Sequence, residues 1–205
     1  MKPTVVPFIT SREAEIHSTA RLVVRPEGRG IGYHDEGDQD RDERGVLWGR
    51  VTQALASPPV WRNVHPARQR VCMERLLCQI CADPADRTGA GWLFLQGGKG
   101  GEGVLTAQPP LCLQHALVAA LQCPYLNGQL QAMRVQAPLL YGVLGTGYIL
   151  DRHSELLQLP PDPPVPYSHP RVGWVLASQL VRCLTGVTVI DLEQEVDRIL
   201  AGVSE

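Results

Sequence analysis

The chain is poor in aromatic side chains: of its 205 residues only 2 are phenylalanine, 4 tryptophan and 5 tyrosine. Leucine, valine and alanine must therefore supply most of any core. Lysine occurs only at Lys2 and Lys99, so positive charge rests on arginine. The formal net charge is −2, which excludes a supercharged tail and argues against a dedicated nucleic-acid-binding domain, since those are usually basic. No apolar run approaches the roughly 18 residues that a membrane-spanning helix needs. The patch Val5, Val6, Phe8, Ile9 is interrupted by Pro7 and followed by Arg12, Glu13 and Glu15, which does not fit a secretory signal. The expected setting is cytoplasmic, where cysteines stay reduced and serve as metal ligands, catalytic groups or small core residues.

Turn-formers are abundant, with 20 glycines and 17 prolines. Together they make about 18% of the chain, against a usual level of roughly 12%. The order of expected elements is mixed rather than alternating, which predicts an α+β fold in a single domain over 1–205. Residues 20–26 read as a strand stopped by Pro26, and 27–45 as an acidic polar loop. That loop carries Asp35, Glu36, Asp38, Asp40, Asp42 and Glu43 against Arg41 and Arg44, so it could dock on basic residues of 62–75. It lacks the glycine and glutamate positions of an EF-hand loop. Residues 46–55 fit a strand or a short helix. Pro66 suits the first position of a helix running to about Leu77, with Val71, Leu76 and Leu77 turned inward.

Residues 91–96 read as a buried strand and Val104–Ala107 as its hairpin partner across a glycine-rich turn. That turn, Gly97 to Gly103 with Lys99 inside it, is no P-loop, because no Ser or Thr follows the lysine and a strand rather than a helix comes next. A helix is expected over 113–122, and strands over 129–136 and 139–150, the second bulged or bent at Gly142, Gly145 and Gly147. Six prolines make 159–170 an extended linker. Trp174, Ala177, Leu180, Val181 and Leu184 fit one face of a helix, followed by a short strand at 187–190 and a final helix capped by Asp191.

The strongest chemical signal is a pair of pairs. Cys78-Gln-Ile-Cys81 is followed, after 30 intervening residues, by Cys112-Leu-Gln-His115. A two-residue gap lets a tight turn aim two donors at one ion, and three thiolates plus one imidazole satisfy tetrahedral zinc. A closed set of four protein donors points to a structural ion. The helix expected at 113 would place its N-terminus beside the Cys112 thiolate. Cys72, Cys123 and Cys183 read as packing residues. His65, Arg68, Arg70 and Arg75, next to the first pair, form a candidate partner-binding surface suited to phosphate.

A knuckle, a hairpin and a helix bearing the second ligand pair resembles the treble-clef zinc frame of HNH-type nucleases, over about residues 65–125. That resemblance implies the zinc frame and four ligands. It does not extend to the nuclease's general base, because Gly91-Trp-Leu-Phe-Leu-Gln96 contains no His, Asp or Asn. A fainter similarity to zinc deaminases lies in Cys72-Met-Glu74 with Pro110-Leu-Cys112, where the proline is one residue early. The stretch Val64–Cys81, with its Arg-Gln-Arg helix before the cysteine pair, and Pro109–Pro124 also resemble uncharacterised actinobacterial proteins.

The expectation is a non-enzymatic zinc-stabilised accessory or regulatory protein that contacts a protein or nucleic acid. The alternatives are an enzyme whose site lies outside the zinc frame, with Tyr141, Tyr148, Asp151 and His153 as its polar cluster, or a degenerate HNH-type nuclease.

Overall fold

The computed structural model describes residues 5–98, 100–122, 130–161, 163–195 and 197. The chain divides into two compact units. One contains both ligand pairs and comprises residues up to Phe8, Val71–Leu140 and Arg182 onward; here it is the cysteine unit. The second unit comprises Ile9–Arg70 and Tyr141–Val181. In chain order the elements are β1 (Thr10–Arg12), β2 (Leu22–Val24), β3 (Ile31–Tyr33), β4 (Leu47–Trp48), β5 (Pro59–Val64), α1 (Pro66–Arg75), β6 (Arg87–Thr88), β7 (Gly91–Gly97), β8 (Leu105–Thr106), α2 (Leu113–Gln122), β9 (Leu130–Leu150), β10 (Leu156–Gln158), β11 (Val165–Pro166) and β12 (Val175–Ile190). The fold mixes helix and strand, as composition and element order predict. No helix among the described residues is long and apolar enough to cross a membrane.

In the second unit β1 pairs with β5, β2 forms a hairpin with β3, β4 runs parallel to β12, and β10 and β11 both pair with β9. Its core gathers Ile31, Tyr33 and Leu47 against Leu22, Tyr148, Leu156, Trp174 and Leu176. The loop expected over 27–45 therefore contains a buried strand. Ile31-Gly-Tyr33 is a short apolar run that the surrounding acids and glycines conceal. Among the loop's acids, Glu36 pairs with Arg41 at 2.7 Å, and Asp35 and Asp40 pair with Arg50 at 3.0 and 2.5 Å. Asp42 is buried. Its carboxylate accepts from the backbone N–H groups of Arg44 and Val46, from Trp48 Nε1 and from the Tyr167 hydroxyl.

In the cysteine unit β7 lies between β6 and β9, with Trp92 opposite Val135 and Gly97 opposite Leu130. Both faces of β7 are covered. Leu93 and Leu95 pack with Leu111, Ala116 and Ala132, while Phe94 packs with Met133, Val135 and Leu184. Burial on both sides is why this strand reads as an unbroken apolar run. The expected hairpin between 91–96 and 104–107 does not form. β8 pairs with β12 instead, Thr106 opposite Arg182 and Leu105 opposite Cys183, and the strand that forms a hairpin with β7 is β6, which precedes it.

Two further expectations are corrected. The helix expected over 174–184 is the first part of β12, which continues to Ile190. Ala177, Leu180, Val181 and Leu184 satisfy helical spacing, but the strand is buried on both faces, so its apolar positions do not alternate; the β-branched run Val187–Ile190 extends it. The two strands expected over 129–150 are one, β9, which continues through Pro138. Two of its glycines lie against neighbouring backbone. A Cβ at Gly142 would fall 2.0 Å from the Val165 carbonyl oxygen, and one at Gly145 would fall 2.2 Å from that of Leu176. These glycines let neighbouring backbones approach. The proline-rich 159–170 segment is also partly a strand, β11, laid against Gly142 and Val143. The Asp191 cap is present: its carboxylate accepts from the N–H groups of Glu193 and Gln194.

Candidate metal centre

The first ligand pair sits on a turn closed by its own backbone. α1 ends in a left-handed residue, Leu76, at φ 54°. The Cys78 N–H then donates to Asp83 O at 2.7 Å, and the Ala82 N–H donates to Cys78 O at 2.8 Å. Ala82 is also left-handed, at φ 64°, a conformation that costs an L-residue about 1 kcal/mol. The Asp83 N–H reaches back to the Cys81 sulfur.

The second pair is placed by α2. Cys112 caps that helix, its carbonyl accepting from the Ala116 N–H at 2.9 Å and its sulfur from the His115 N–H. Backbone bonds hold the two segments to each other and to β7. Gln79 donates to Pro110 O at 3.1 Å, Asp86 to Leu111 O at 3.0 Å, and Leu111 to Leu93 O at 3.0 Å.

The result is a cluster. Cys78 Sγ, Cys81 Sγ, Cys112 Sγ and a ring nitrogen of His115 all lie within 4.8 Å of one another. His115 Nδ1 is 3.0 Å from Cys112 Sγ and 3.7 Å from Cys78 Sγ. Bonds of about 2.3 Å to a tetrahedral ion would space the donors about 3.8 Å apart, so the four side chains fit a metal ion. Charge leads to the same conclusion. Burial, together with the neighbouring Cys78, pushes the Cys81 thiol up to about 12, against the pull of the Asp83 N–H. Burial raises Cys112 too. Three crowded sulfurs ionise here only if a cation supplies the compensating charge, and binding then releases their protons.

The other cysteines are not part of the cluster. Cys72 is fully buried on α1, donates its S–H to Cys78 O at 3.8 Å, and is pushed by burial to about 12. That is the packing role expected of it. Cys183 lies on β12 with its S–H toward Gly103 O. Cys123 and Lys99 lie outside the described residues.

Two of the four candidate partner-surface residues, His65 and Arg68, are internal. His65 is fully buried and caps α1, its Nδ1 accepting from the Arg68 N–H at 3.4 Å and its Nε2 donating to Thr52 O at 3.2 Å. Those partners assign the neutral Nε2–H tautomer. Burial, then the nearby Arg68 charge, lowers its pKa. Arg68 is 3% exposed. It pairs with Glu15 at 2.5 Å and also donates to Gln53 Oε1 at 2.7 Å and Thr10 O at 2.8 Å. Both residues are bonded within the second unit. The inward face of α1 carries buried polar side chains beside the apolar Cys72 and Met73: Gln69 is buried as well and exchanges both amide bonds with the backbone of Leu180. Val71, expected inside, is 36% exposed. Arg70 lies over the Trp48 ring at 5.0 Å, and Arg75 is exposed.

The cluster Tyr141, Tyr148, Asp151 and His153 does not assemble. Tyr141 and Tyr148 are seven residues apart on one strand, about 23 Å along its path. Tyr148 packs into the core, and the Asp151 carboxylate is occupied by the N–H groups of His153 and Glu155 in a turn. A buried charge network lies outside the expected site residues. Arg134, 1% exposed on β9, pairs with Asp86 at 2.5 Å and with Glu195 at 2.8 Å. An arginine between Met133 and Val135 in an apolar strand was the available signal.

Compared with known proteins, the chain matches no family model, no curated protein and no solved structure. The similarity to the HNH-type zinc frame therefore rests on the two ligand pairs alone.

Proposed function

We propose that this chain is a non-enzymatic, zinc-stabilised binding protein with an accessory or regulatory role in the cytoplasm. The observation that supports it is the closed donor set: three thiols and one imidazole within 4.8 Å. An ion held by four protein donors has no open position for water or substrate, which is the pattern of a structural rather than a catalytic zinc. Soft sulfur donors with one imidazole favour zinc over magnesium or calcium. The knuckle, the short β6–β7 hairpin and α2 with ligands at its N-terminus have the order of a treble clef. In this reading the ion crosslinks the turn after α1 to the start of α2 and contributes to folding of the cysteine unit.

The partner is a protein. Of the four candidate contact residues, His65 and Arg68 are committed internally, and a net charge of −2 disfavours a polyanion. The test is Cys78→Ser followed by urea unfolding with and without added zinc. The expected result is a cysteine unit that no longer unfolds cooperatively and gains nothing from zinc. A Cys78→Ser protein that folds as stably as the parent would overturn the structural role.

A further inference from the structure

We propose that the metal centre is a peroxide-sensitive switch, in which Cys81 and Cys112 close into a disulfide and the ion leaves. This inference rests on the metal reading above and adds a chemistry to it. Two observations carry it. The four ligands are unevenly covered: Cys78 is buried, whereas Cys81, Cys112 and His115 are partly open to solvent. The two open thiols also come from different segments, one from the knuckle and one from the cap of α2, with their sulfurs inside the same 4.8 Å cluster. Thiolate character and exposure together decide which cysteines an oxidant reaches. Among the four ligands they select Cys81 and Cys112, whose sulfurs lie within 4.8 Å of each other, and spare Cys78.

The chemistry balances with a hydroperoxide as oxidant. One open thiolate attacks the outer peroxide oxygen and the O–O bond breaks. With one proton taken up, the products are a cysteine sulfenic acid and an alcohol, or water when the oxidant is hydrogen peroxide. The second thiolate then attacks the sulfenic sulfur, the S–S bond forms, and hydroxide leaves and takes up a second proton. Two electrons pass from the sulfur pair to the peroxide. Cys78 and His115 remain as the only donors, too few to keep a divalent ion closed in. The new disulfide joins the same two segments that the ion had joined, so the knuckle and α2 stay tethered, and a dithiol reductant resets the site.

The test uses the full chain loaded with zinc. Hydrogen peroxide is titrated in, released metal is read with a chromogenic chelator, and disulfides are mapped by mass spectrometry after non-reducing digestion. The expected result is about one zinc released per disulfide formed, with Cys81–Cys112 the dominant linkage. Zinc should rebind after dithiol treatment, and Cys72→Ala and Cys183→Ser proteins should behave like the parent. Retention of zinc under a large excess of peroxide would overturn the proposal. So would release with a different linkage, or with irreversible sulfonic acids. Failure of the metal reading is seen separately and beforehand, as a full chain that does not take up zinc.

Discussion

Replacing Glu15 with glutamine should cost the second unit about 3 kcal/mol at neutral pH, and the size follows from the geometry of one buried ion pair. The Glu15 side chain is 1% exposed and that of Arg68 3%. Burial alone would raise the Glu15 pKa, but the Arg68 guanidinium and the N–H groups of Arg12 and Ala54 outweigh it and hold the carboxyl at about 2, against 4.5 when free. The Arg12 bond is 2.8 Å and the Ala54 bond 3.3 Å. A carboxyl depressed that far contributes about 3 kcal/mol of stability at neutral pH, since each pH unit is worth about 1.4 kcal/mol. Breaking a buried pair by removing one partner costs a similar amount, about 3–5 kcal/mol.

The sign is fixed by the direction. The folded value lies below the unfolded one, so the contribution is complete above pH 4.5 and is lost as pH falls from there toward 2. Urea unfolding followed by tryptophan fluorescence reads this unit well, because Trp48, Trp61 and Trp174 all lie in it. The parent should weaken steeply below pH 4.5, and Glu15→Gln should start lower and show a shallower acid slope. A loss under about 1 kcal/mol at pH 7, the value of an exposed pair, or an unchanged acid slope, would refute the reasoning.

Three other outcomes follow from the same structure. Ala82→Gly should stabilise the zinc-loaded cysteine unit by about 1 kcal/mol, because glycine adopts the left-handed turn without strain; a lower urea midpoint would contradict that backbone conformation. His65 has a folded pKa below 6.5. Its contribution is therefore full above pH 6.5 and declines as pH falls toward the folded value, and an NMR titration of its ring should show a midpoint below 6.5. Arg134→Met should destabilise the cysteine unit by about 3–5 kcal/mol by leaving Asp86 and Glu195 unpaired. A change within 1 kcal/mol in its chemical denaturation would mean that the network is not buried in solution.

What the sequence revealed was local. The ligand pairs were legible because a two-residue gap is a property of a short turn, and α2 because Ala116, Leu117, Ala120 and Leu121 repeat at helical spacing with no competing period. α1 was legible through Pro66, yet its inward face was not. Arg68 is buried because Glu15 waits 53 residues away, and Gln69 because Leu180 waits 111 residues away. No local pattern encodes such partners, so an arginine-rich helix looked like a surface. β12 has a helix-like sequence pattern for a related reason. A strand covered on both faces loses its alternation, and helical and extended spacing then fit the same apolar residues. β8 was placed correctly as a strand, but its neighbour is set by long-range pairing to Arg182 and Cys183 rather than by the glycine-rich turn before it.

The measurement that bears most directly on the metal centre is the metal content of the purified full chain, read together with the spectrum after cobalt replaces the native ion. The account predicts about one zinc per chain and a cobalt derivative with sulfur-to-metal charge transfer and tetrahedral absorption bands, as three thiolates and one imidazole require. A metal-free chain that remains cooperatively folded, or an octahedral cobalt spectrum, would contradict it.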